Sequence, residues 1–115
     1  MIWFAPQRTI FVVYQPPNKP GWQQFVDTWQ EGSPDSDPSI TPPEGLFQPM
    51  RGFGLVWRTK PRVRQRLGWA TGPELPYPSV LQIDSVGSRY IRGPHNEVYQ
   101  LNADLAGWQI VKPGT

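Results

Sequence analysis

The chain has 115 residues, eleven basic and nine acidic side chains, and no cysteine. That length sets one domain, residues 1–115, with a modest core. The net charge of +2 is too small to imply nucleic acid, and the lack of cysteine excludes disulfides and thiolate metal sites. Fifteen prolines and eleven glycines make the chain turn-rich, whereas six Trp, five Phe and four Tyr argue against disorder.

Residues 1–4 read as a strand, and residues 5–8 as a turn. Residues 9–14 (Thr-Ile-Phe-Val-Val-Tyr) are β-branched and aromatic without alternation, as expected of a strand buried on both faces or covered on one face by aromatic neighbours. A Pro-rich loop follows at 15–21, and residues 22–25 return as a third strand. Trp29, seven residues after Trp22, is expected to cap the same core. Residues 33–50 hold Pro34, Pro38, Pro42, Pro43 and Pro49, and read as an irregular surface tract.

The stretch 51–74 is the best punctuated. Gly52 and Gly54 flank Phe53 and are expected to bend the backbone around a buried ring. Leu55, Val56 and Trp57 read as a short apolar run. Pro61 suits the first turn of a helix, Val63 and Leu67 share one face, and Gly68 stops it, so one short helical turn is predicted at 61–67. Arg58, Lys60, Arg62, Arg64 and Arg66 would form a cationic ribbon for phosphate or acidic glycan on a strand. On a helix they scatter over its outer face, which removes the case for nucleic acid.

Thr71-Gly72-Pro73 and then Leu75-Pro76-Tyr77-Pro78 turn the chain. Residues 79–84, 89–92, 97–101 and 108–111 read as strands, with turns at 86–88 and 93–96. The two ends share a grammar. Residues 3–6 align with 91–94 and residues 10–13 with 98–101, both at an offset of 88, and Gly21-Trp22-Gln23 aligns with Gly107-Trp108-Gln109 at 86. A hairpin alone cannot bury its aromatic face, so a repeated one is expected to stack on its neighbour. The expected fold is all-β, a small hairpin-repeat domain, propeller-blade-like or sandwich-like. Its related segments 1–25 and 79–111 are joined by the tract 33–50 and the stretch 51–74.

Residues 67–74 (Leu-Gly-Trp-Ala-Thr-Gly-Pro-Glu), followed by 89–94 and Val98-Tyr99, resemble the LGFP repeat of bacterial cell-envelope proteins, with Phe53-Gly54-Leu55-Val56-Trp57 as a fitting lead-in. Ala70 stands where that family usually has proline, and Gly72-Pro73 separates Thr71 from Glu74. The resemblance covers about residues 52–110. It implies hairpin blades, a bacterial extracellular or wall-associated location and a binding role, and it transfers no catalytic residue.

His95, the single histidine, lies in a predicted turn and cannot alone build a metal site. Asp35-Ser36-Asp37 lacks the glycine and distal glutamate of a calcium loop. Asp27, Glu31, Glu74 and Glu97 are the carboxylates from which a small glycoside hydrolase would be built, the least favoured function. No phosphate loop, serine elbow or triad is present, and no cofactor or metal is expected. No apolar run approaches the ~18 residues of a membrane span, and Met1-Ile2-Trp3-Phe4 has no basic leader, as in a module of a longer protein. The expected function is therefore non-catalytic recognition of polysaccharide or cell-wall glycan through exposed aromatic rings, with Trp22, Trp29, Tyr77 and Trp108 as platform candidates. The alternative is a structural or protein-interaction module of a larger extracellular protein.

Overall fold

The computed structural model describes residues 1–14, 21–72, 74, 80–104 and 107–111. Its strands are β1 (Ile2–Phe4), β2 (Thr9–Val13), β3 (Trp22–Val26), β4 (Leu81–Ile83), β5 (Arg89–Arg92), β6 (Val98–Leu101) and β7 (Trp108–Val111). They form two antiparallel sheets, β1-β2-β3 and β4-β5-β6-β7. The fold is thus mostly β and broadly sandwich-like.

β2 is the axis of the molecule. Its Phe11 joins Ile2 and Trp22 in packing on Ile91 and Leu101 of the second sheet. Its Ile10 and Val12, with Tyr14 just beyond the strand, point the other way and meet Val56 and Val63 of two helices. Burial on both faces explains the unbroken apolar run, since each such side chain contributes about 1.5–3 kcal/mol on leaving water.

The helices are α1 (Arg51–Thr59) and α2 (Pro61–Leu67). α2 has the predicted bounds. α1 overturns the expected bend and apolar run at 52–57. Gly52 and Gly54 lie within this helix with their α-carbons against other parts of the chain: a β-carbon on Gly52 would sit 2.5 Å from Asp27 Oδ1, and one on Gly54 would strike the Pro49 carbonyl. Close approach, not turning, is their role. Pro61 disfavours helical geometry at the residue before it, and Lys60 is accordingly extended at φ −111°, ψ 96°. That one residue divides the helical segment in two. Gly68, at φ +70°, ends α2.

Residues 33–50 wrap the surface without regular helix or strand, as expected. The Gln48 amide braces them, accepting from Asp37 N–H and donating to the Asp37 and Ile40 carbonyls.

The two sheets hold each other by a reciprocal pair of bonds. The Trp22 indole N–H donates to the Asn102 carbonyl at 2.8 Å, and the Trp108 indole N–H donates to the Tyr14 carbonyl, also at 2.8 Å. Tyr14 N–H and Asn102 N–H in turn bond Gly21 O and Gly107 O, each at 3.0 Å. Val13 pairs with Trp22 as Leu101 pairs with Trp108. All these correspondences follow the offsets of 88 and 86. The first hairpins differ: Phe4 pairs with Thr9, but Arg92 pairs with Val98, one residue later than the alignment requires. The turn from β5 to β6 holds the extra residue, and β4 has no counterpart in the first sheet.

Candidate functional site

Of the platform candidates, Trp22 and Trp108 meet at the core between the sheets and Trp29 lies apart from them. Trp22 is 1% exposed and lies in the core, because its pairing with Val13 turns it toward the second sheet. It presents no face to a ligand. Trp108 is half-buried, packs on the same core with its ring 5.8 Å from that of Tyr99, and its N–H is taken by Tyr14. Trp29 is half-buried and joins neither core cluster, contrary to the expectation that it shares one with Trp22; its N–H is bonded to the Pro34 carbonyl. Tyr77 lies outside the described residues.

A different ring meets the chemistry that a platform needs. Trp69 follows the Gly68 cap of α2 and is half-buried, like Trp29 and Trp108. Two contacts fix it. The buried Trp57 ring lies 5.2 Å away and donates its N–H to the Gly68 carbonyl at 2.7 Å. Ala70 exchanges both backbone bonds with Phe47, each at 2.8 Å, tying the segment to the Pro-rich tract. Trp22, Trp29, Trp57 and Trp108 all spend their indole N–H on backbone carbonyls. The Trp69 indole N–H has no hydrogen-bond partner among the described residues.

Arg64 stands beside it, its guanidinium 4.7 Å from the Trp57 ring centre and 5.8 Å from that of Trp69. Such stacking contributes about 0.5–1 kcal/mol at an exposed site and holds the planar fork in place. On the other flank of α2, Arg66 lies 4.0 Å over the Tyr14 ring, and Lys60 lies 5.7 Å over Phe25. The basic residues therefore lie along aromatic rings instead of merely solvating the helix. Lys60, Arg62 and Arg64 are exposed, and none has an ion-pair partner among the described residues. Nη1 of Arg58 is buried beside Gly54 without a hydrogen-bond partner.

The nearby acid is engaged elsewhere. The Asp37 carboxyl accepts from the hydroxyl and N–H of Ser39, which hold its pKa below the usual carboxylate value; Arg58 and Arg64 add to this from farther away. Burial raises the pKa of the Tyr14 phenol, with Arg66 and Arg62 opposing.

Of the hydrolase carboxylates, Asp27 and Glu97 have local duties. Asp27 binds Trp29 N–H and lies against the first turn of α1. Glu97 binds His95 N–H and closes over Gly93 in the β5–β6 turn. Asp35 pairs with Arg51 at 3.8 Å. Among the described residues, no group of three His, Asp or Glu side chains is placed to hold a metal. No family model matches the chain, and comparison with curated proteins and with solved structures finds no match. No helix among the described residues is long and apolar enough to cross a membrane.

Sequence reading missed Trp69 and Arg64 as a pair. The signal was available: the residue after a C-terminal glycine cap emerges beside the last turn, here a turn rich in arginine.

Proposed function

We propose that the chain is a non-catalytic binding module for an acidic polysaccharide, which it takes at Trp69 and Arg64. The observation that carries this reading is the indole N–H of Trp69, free among the described residues, beside a ring-stacked guanidinium that has no ion-pair partner among them. A sugar ring stacks its C–H face on the indole. Its carboxylate accepts from Arg64, a charge-assisted bond worth about 1.5–3 kcal/mol. Lys60, Arg62 and Arg66 give the surrounding surface a positive field that favours a repeating anion over a neutral glycan.

The resemblance to the LGFP repeat supports placing this activity in the bacterial cell envelope. The reciprocal indole bonds support reading the two ribbons as copies of one unit, stacked because neither buries its aromatic face alone.

Affinity electrophoresis tests the reading. The protein is expected to be retarded in gels holding polygalacturonate and to run freely in gels holding cellulose derivatives or xylan. Arg64→Gln and Trp69→Ala are each expected to weaken retardation about tenfold or more, from the loss of one charge-assisted bond or one stacked ring. Equal retardation by neutral glycans, or none by polygalacturonate, would refute it. Retardation by duplex DNA that Trp69→Ala leaves intact would reduce the site to nonspecific polyanion binding.

A further inference from the structure

A second surface lies at the free edge of the first sheet. β3 is paired on one side only, with β2. Gly21 and Asp27 bond across to Tyr14 and Arg8, and these pairs share the register that sets Val12 opposite Gln23 and Ile10 opposite Phe25. By the alternation of an antiparallel ladder, the N–H and C=O groups of Trp22, Gln24 and Val26 therefore face outward. None of these backbone groups has a partner among the described residues. Natural edges are usually blunted by charge, proline or a bulge. β3 has none of these: it reads Trp-Gln-Gln-Phe-Val.

Beside this edge lies a groove of about 350 Å³, lined by Phe25, Val26, Thr28, Leu55, Val56, Thr59 and Lys60. Its lining mixes apolar side chains with the hydroxyls of Thr28 and Thr59, Val26 is 68% exposed, and one cation, Lys60, stands at its rim over Phe25. A strand added to β3 would alternate its side chains between the two faces of the sheet. Those on the Phe25 side would enter the groove against Leu55 and Val56 of α1. A carboxylate two residues along would meet Lys60, which has no acidic partner among the described residues.

We infer that β3 and this groove form a docking edge for an extended protein segment that carries an apolar residue and an acidic residue two positions apart, on one face, and adds as a fourth strand. Main-chain bonds to Gln24 and Val26 supply the affinity, and the groove with Lys60 supplies the selectivity. The surface is separate from Trp69 and Arg64 and does not depend on the glycan reading.

The test uses the full chain and two acetylated hexapeptides, Thr-Val-Thr-Glu-Thr-Val, which sets its glutamate on the same face as its valines, and the same peptide with lysine in place of glutamate. The acidic peptide is expected to bind and to slow hydrogen exchange at the Gln24 and Val26 amides, with the lysine peptide weaker. Lys60→Glu, at an exposed position, is expected to weaken the acidic peptide about fivefold, the upper worth of an exposed ion pair, and to favour the lysine peptide. Gln24→Pro removes an outward donor without taking one from β2 and is expected to abolish binding of both. Binding that leaves the Gln24 and Val26 amides unprotected overturns the proposal, as does indifference to Lys60→Glu. Protection of those amides on raising protein concentration alone would assign the edge to a second copy of the chain, and so also overturns it.

Discussion

Replacing Trp22 by Phe removes one of the two bonds by which the sheets clasp each other. The Asn102 carbonyl loses its donor inside the interface, which costs about 1–3 kcal/mol. The smaller ring leaves a void at a side chain only 1% exposed, adding about 1 kcal/mol. Trp22→Phe is thus expected to cost about 2–4 kcal/mol. Trp108→Phe breaks the mirror bond to Tyr14, but from a half-buried ring. Water can partly replace that donor, so its cost falls to about 1–2 kcal/mol. With about 4 °C in Tm per kcal/mol for a chain of this size, the losses are about 8–16 °C and about 4–8 °C. Trp29→Phe, which breaks only an exposed bond to Pro34, is expected to cost about 0.5 kcal/mol. Urea unfolding followed by far-UV circular dichroism measures all three. Because both indole bonds hold one interface, the double variant is expected to lose less than the sum of the singles. A Trp22→Phe protein no less stable than Trp29→Phe would refute the clasp.

Gly54→Ala would gain about 1 kcal/mol in helix propensity, yet its β-carbon meets the Pro49 carbonyl, with Pro49 C at 2.9 Å. Backbone cannot swing aside, so a net loss of about 1–2 kcal/mol is expected in thermal melts; a stabilised variant would contradict the packing of α1. Gly52→Ala meets the Asp27 carboxylate instead and is expected to lose stability too, with Asp27→Ala relieving the clash in the double variant. The Asp37 pKa is depressed in the folded chain by Ser39. Its contribution to stability is therefore full above the ordinary carboxylate pKa and disappears as pH falls through the lower folded value. Carboxyl-carbon NMR is expected to show Asp37 titrating below the usual aspartate range, with Ser39→Ala moving it upward; an unmoved pKa would contradict the assignment.

The parts of the fold written in local chemistry were legible. Pro61 and Gly68 set the bounds of α2, and the unalternating run in β2 correctly implied burial on both faces. α1 was not legible by propensity. Glycine at 52 and 54 and proline at 49 speak for a bend; the close approach of Asp27 to Gly52 and of the Pro49 carbonyl to Gly54 explains why glycine stands at these positions of a helix. Its i, i+4 pairs Gly52/Val56 and Phe53/Trp57 were the available signal. The site was least legible because indole exposure depends on register. Trp22 and Trp108 occupy corresponding strand positions, yet one is fully buried and the other half-buried. Composition counts six indoles but does not sort them into clasp, wedge and free surface.

That sorting is the central claim, and the six indole N–H signals of a proton–nitrogen NMR spectrum test it directly. On addition of an oligogalacturonate, the account predicts that the Trp69 signal shifts together with Arg64 Nε–H, while those of Trp22 and Trp108 stay in place. Movement of Trp22 or Trp108 with Trp69 unmoved, or no movement in any of the six, would contradict it.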